Sequence, residues 1–121
     1  MNPGKGKLRD PYESAERRWP AEEASQAVAL YRSGKSIIQI AGIMGIDQKQ
    51  VSICLIRTLF NFTGEIDDVR ASPRNGKRYT DEEISKMESY FDAGVQVQEI
   101  AIELQRTVLG VGRRMIDRRM L

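Results

Sequence analysis

The chain has 121 residues, 40% of them apolar and 30% charged, with a net charge of +2, one cysteine and no histidine. That length suits one ordinary domain or two very small ones, and no run approaches the roughly 18 apolar residues that a membrane span needs. A lone Cys54 excludes an internal disulfide, and the lack of histidine removes the commonest metal ligand and general base, so hydrolytic and zinc chemistry lose their usual parts.

The first stretch, residues 1–18, is polar and interrupted by Pro3, Gly4 and Gly6, with neither an apolar signal segment nor an Arg-Ser pattern. It reads as a flexible basic arm with a cytoplasmic address, nucleoid-associated or, in a eukaryotic source, nuclear. Two readings of the arm stand side by side. It is a solvated tail, or its Lys5, Lys7 and Arg9 reach phosphate or the minor groove.

Residues 19–60 carry three helical patterns. The first runs from about Ala21 to Ser33, with Ala24, Ala27, Val28 and Tyr31 on one face and Gly34 suited to a left-handed cap. The second begins near Ser36, whose spacing from Gln39 makes a capping box, and turns Ile37, Ile40, Ala41 and Met44 inward. A tight turn with Gly45 and the N-cap Asp47 leads to a third helix over about Gln48 to Phe60. That helix is apolar on nearly every side from Val51 to Ile56, which leaves only Gln48, Lys49, Gln50, Ser52 and Arg57 to meet a polar groove and calls for a second apolar partner: the other half of the chain, a second copy, or another protein. Cys54 reads as a small buried hydrophobe.

A linker is expected over residues 61–77, with Gly64, Pro73, Asn75 and Gly76, and with Arg70, Arg74, Lys77 and Arg78 available to touch a backbone. Residues 78–121 then repeat the first pattern. Laying 18–60 over 78–120 at a constant offset of 60 gives nine identities in 43 positions without a gap, where about two or three are expected by chance. Thr80 and Glu83 form a capping box, Val97, Ile100, Ala101 and Leu104 take the inward places, Thr107 is the N-cap, and the last helix spans about Val108 to Met120. The acids Glu22, Glu23, Asp81, Glu82 and Glu83 fall in first turns, where they complement helix dipoles, so no enzyme, cofactor or metal is expected.

Charge separates along this second half. Residues 78–104 hold two bases and seven acids, whereas residues 105–121 hold five arginines (Arg106, Arg113, Arg114, Arg118, Arg119) and one acid, Asp117. Such polarity lets one helix meet phosphate while the rest of the unit repels it.

Trp19 or Tyr79 before a Glu-Glu pair, a glycine closing the first helix, Ile-Ala in the second, and Leu104-Gln105-Arg106-Thr107 before the third together resemble the homeodomain-like superfamily, in its tandem Myb/SANT-like branch. These motifs also recur in resolvase-like and sigma-factor-like helix-turn-helix units. Two features depart from the branch, since Trp19 is the only tryptophan and Gln105 stands where a turn glycine is usual. The resemblance implies an all-α fold of two tandem three-helix helix-turn-helix units that binds double-stranded DNA as a transcriptional regulator, with each third helix in the major groove.

By position the groove-facing residues would be Lys49, Ser52, Ile53, Ile56 and Arg57 in the first unit, then Leu109, Gly112, Arg113, Ile116 and Asp117 in the second, with Gln50 and Thr107 as further DNA contacts. Arg113 would read guanine, Arg106, Arg114, Arg118 and Arg119 would pair with phosphates, and Gly110 and Gly112 would let the backbone come close to DNA. The alternative is a SANT-like protein-interaction module that holds RNA polymerase or another regulator, or self-associates, through the apolar third helix of the first repeat.

Overall fold

A computed structural model describes residues 16–66 and 77–120. The expectations for the arm (Lys5, Lys7, Arg9) and for most of the linker, including Arg70 and Arg74, lie outside the described residues. Among the described residues there are six helices: α1 (Ala21–Arg32), α2 (Ile37–Met44), α3 (Gln48–Leu59), α4 (Asp81–Asp92), α5 (Val97–Leu104) and α6 (Val108–Asp117). No strand occurs among the described residues, and no helix there is long and apolar enough to cross a membrane.

Local chemistry sets the boundaries. The starts of α1, α2 and α3 (residues 21, 37 and 48) recur 60 residues later as those of α4, α5 and α6 (81, 97 and 108), so the duplicated sequence signals act at duplicated places. Ser36 with Gln39 and Thr80 with Glu83 form complete capping boxes, while Asp47 accepts from the Lys49 amide and Thr107 from the Gly110 amide. At the other ends each helix closes with a left-handed residue and a bond from the following amide back five residues, as from Lys35 to the Leu30 carbonyl and from Met120 to the Met115 carbonyl. Gly45 (φ 67°) serves α2 in this way, and Gln105 (φ 59°) serves α5 despite carrying a side chain.

The last helix is shorter than its sequence pattern predicts. It ends at Asp117 rather than near Met120, because Arg119 turns left-handed (φ 53°) and leaves the helical path. Its guanidinium then lies over the Tyr31 ring, 4.3 Å from the centroid, and donates to the Tyr31 and Lys35 carbonyls at 2.8 and 2.7 Å. A cation at the C-terminal end of α1 satisfies carbonyls that the helix leaves open and complements its dipole. Tyr31 replies in the other direction: its hydroxyl donates to the Ile116 carbonyl at 3.0 Å.

One apolar cluster fills the interior. α1, α2 and α3 pack on one another, α5 joins α4 to α6, and α3 packs directly against α6. The cluster runs from Ala27, Val28 and Ile40 through Val51, Leu55 and Ile56 to Val111, Met115, Ile116, Ile100 and Met87 without a break. At the α3–α6 seam the chain uses a residue with no side chain: a Cβ on Gly112 would fall 2.6 Å from Ile56 Cδ1 and 2.7 Å from its Cγ1. Ser52, which corresponds to Gly112 at the offset of 60, is also fully buried, with its hydroxyl turned back to the Gln48 carbonyl at 2.8 Å.

The seam answers what covers the apolar third helix, and it corrects the expected exposure of both third helices. Ser52 (0%), Ile53 (3%), Ile56 (0%), Gly112 and Ile116 (1%) are interior, not groove-facing. Gly112 brings α3 close rather than DNA.

Candidate nucleic-acid interface

What remains outside on α6 is a strip one turn away from the seam. Leu109, Gly110, Arg113 and Arg114 are half-buried and Asp117 exposed, and Arg118 is exposed just past the helix end. Their spacing of three and four residues keeps them on one side of the helix. Together with Tyr79 and Thr107, the residues from Leu109 to Asp117 on this strip line a shallow recess of about 220 Å³, with Arg118 outside it.

Each cation there has a different setting. Arg113 donates to Gln48 Oε1 at 2.9 Å, with Asp117 3.9 Å from its Nε, so it reaches across the seam to the first turn of α3. The strip on α6 therefore continues onto Gln48 and Lys49. Arg114 stacks over Tyr79 at 4.8 Å, which restricts its rotamers. Arg118 is exposed and forms no ion pair with any described residue.

The same side of α3 is closed. Residues 53, 54 and 57, which correspond to Arg113, Arg114 and Asp117, are Ile53, Cys54 and Arg57. The backbone amide of Arg17 donates to Gln50 Oε1 at 2.8 Å, and Glu16 receives two bonds from Arg57, each 2.7 Å. Burial pushes the Cys54 thiol above its ordinary range, with a hydrogen bond from Thr58 and the charges of Glu16 and Arg17 as smaller influences. The chain thus lays its own Glu16 and Arg17 along the strip that α6 leaves open.

Arg106, Arg57 and Arg119, expected at phosphate or groove, are each held by several internal partners instead. Arg106 is 4% exposed and pairs with Glu83 through two bonds of 2.9 Å from Nε and Nη2, while Nη1 donates to the Lys77 carbonyl and Nη2 also to the Arg78 carbonyl. Tyr79 lies 3.7 Å under the same guanidinium, and burial there raises its phenol above the ordinary value. Arg57 stays charged, because the bond to Glu16 raises its pKa, and it also donates to the Phe62 and Gly64 carbonyls at 3.1 and 2.7 Å. Arg119 clasps α1 as described above, and Thr107 is buried as the N-cap of α6.

The structure therefore brings Lys49, Arg113, Arg114 and Arg118 to an accessible surface, leaves Gln50 half-buried under Arg17, and places Ser52, Ile53, Arg106 and Thr107 inside. Gln48, one of the few polar side chains that the sequence leaves on α3 to meet a groove, joins the accessible group. Its contact with Arg113 is what no spacing within α3 encodes. Among the described residues no group of three His, Cys, Asp or Glu could hold a metal ion. No family model matches the chain, and neither a curated protein nor a solved structure does.

Proposed function

We propose that this protein binds double-stranded DNA with one composite face, made of the outer strip of α6 and the first turn of α3, and acts in gene control without chemistry of its own. The observation that carries the reading is the contrast between equivalent strips: Arg113 and Arg114 are half-exposed on α6, where α3 has Ile53 and Cys54 buried and its Gln50 and Arg57 bonded to Arg17 and Glu16. In this reading the two three-helix units form one body with one reader.

Lys49, Arg114 and Arg118 meet phosphates, which positions the protein along the duplex. Arg113 and Gln48, already joined, supply the donors and acceptors that face base edges. Adding a short duplex to isotope-labelled protein at low salt tests this directly. Amide shifts are expected at Gln48, Lys49, Leu109 to Arg114 and Arg118. Shifts centred on α1 or α4 would overturn the assignment.

A second reading, the SANT-like protein-interaction module, draws on three exposed large hydrophobics: Ile38 and Ile43 on α2, and Ile102 on α5, which is 73% exposed. These lie on helices that the DNA reading does not use. The same titration separates the two, since an interaction module would leave the spectrum unchanged by duplex.

A further inference from the structure

The end of α6 is clasped to the α1–α2 turn by Arg119, Tyr31 and the Lys35 carbonyl. At the offset of 60 the corresponding residues in the other half are Leu59, Phe91 and Val95, where no such clasp can form. Between them the fold leaves a cleft of about 550 Å³, within the size range of small-molecule sites. Leu59, Phe60, Phe62, Phe91, Val97 and Met115 supply its apolar lining, and among the described residues no Asp, Glu, Lys or Arg lines it, in a chain where such residues make up 30%.

One wall is preformed. Arg57, itself held by Glu16, ties down the carbonyls of Phe62 and Gly64, and Gly64 sits so close to the Phe62 ring that a Cβ there would fall 2.8 Å from its Cζ. A fixed wall lowers the ordering cost of binding. On the opposite side Gln98 donates to Gln96 Oε1 at 2.7 Å, which orients Gln98 Oε1 to accept and Gln96 Nε2 to donate.

We infer that this cleft is a binding site for a neutral one- or two-ring aromatic compound bearing a hydrogen-bonding group. Three phenyl rings favour a flat aromatic occupant through offset or edge contacts. The uncharged lining disfavours an ion, which would lose its hydration without a counter-charge. The paired amides address a hydroxyl or amide on the ring. Because the cleft joins the end of α3 to the α4–α5 turn, an occupant ties the two halves together where Arg119 cannot.

The test uses the full chain, with 2-naphthol as the neutral probe and 2-naphthoate as its charged counterpart, followed by amide shifts and melting temperature. 2-Naphthol is expected to bind one to one, to shift residues 59–64 and 94–98, and to raise the melting temperature. The naphthoate should bind at least about tenfold more weakly, because desolvating a carboxylate without a partner is unfavourable. Gln98→Trp, which fills the cleft, should weaken 2-naphthol by a similar factor, and Thr63→Trp does the same from the other wall should the first variant melt early. Equal affinity for the two probes, shifts scattered over the surface, indifference to both tryptophans, or no binding at millimolar 2-naphthol would each overturn the assignment.

Discussion

Gly112→Ala puts a methyl group into the seam that joins α3 to α6. Its Cβ would lie 2.6 and 2.7 Å from two carbons of Ile56, a side chain with no exposure, whose helix neighbours Val51 and Leu55 are equally buried. Ile56 has no free volume to swing into, since packed interiors lack voids of that size. Overpacking of this kind costs about 1–3 kcal/mol, against a gain of about 1 kcal/mol from replacing glycine in a helix. The net expectation is a loss of about 0–2 kcal/mol.

Gly42→Ala isolates the helix term, because nothing lies within 4 Å of a Cβ at that position in α2. It should gain about 1 kcal/mol. The gap between the two variants is thus the seam's own contribution, about 1–3 kcal/mol, or on the order of 4 °C in melting temperature per kcal/mol for a chain of this size. Urea titrations followed by circular dichroism, with melts in parallel, measure it. Should both variants gain stability equally, α6 does not sit on Ile56 and the arrangement of the two halves is wrong.

Removing the buried partner of Glu83 by Arg106→Met should destabilise by about 3–5 kcal/mol, while the double change with Glu83→Leu should recover the part due to the unpaired buried charge, the capping bond to Thr80 and the bonds to the Lys77 and Arg78 carbonyls staying lost; urea midpoints check both. Tyr31→Phe copies the residue found at Phe91 and removes one bond to the Ile116 carbonyl, for an expected loss of about 0.5–1.5 kcal/mol, with faster hydrogen exchange at the end of α6 as the local sign. Alkaline pH should weaken the fold. Cys54, Tyr31 and Tyr79 all have folded pKa values above their ordinary ones, chiefly through burial, so the unfolded chain releases these protons first. Their stabilisation is complete below about pH 8.5 and fades as pH rises through the thiol range and then past about 10 for the phenols. Melting temperatures from pH 8 to 11 follow this, and Cys54→Ala should remove the earlier part of the decline.

Much of the fold was legible because it is written in local, repeated signals. Ser36 with Gln39, Asp47, Thr80 with Glu83 and Thr107 each fix a helix start with bonds that span three residues, and the offset of 60 carries from residues to helix starts. The end of α6 was not legible, because what turns Arg119 out of the helix is Tyr31, 88 residues away. The site suffered from the same limit. An apolar stretch from Val51 to Ile56 announces a partner but not which one, and two glycines in α6 read equally well as an approach to DNA or to Ile56. Arginine identity alone did not separate Arg106, paired inside with Glu83, from Arg118 in solvent, since both belong to the same +4 segment.

The composite basic face is tested most directly by the salt dependence of duplex binding. Fluorescence anisotropy of a labelled random duplex, from 50 to 300 mM salt, gives a slope of log affinity against log salt for the intact protein and for Arg114→Gln with Arg118→Gln. Each lost phosphate contact should reduce the slope by about 0.9, so the double variant should fall by roughly 2, with its melting temperature nearly unchanged. An identical slope in a folded double variant would place the phosphate contacts elsewhere and contradict the account.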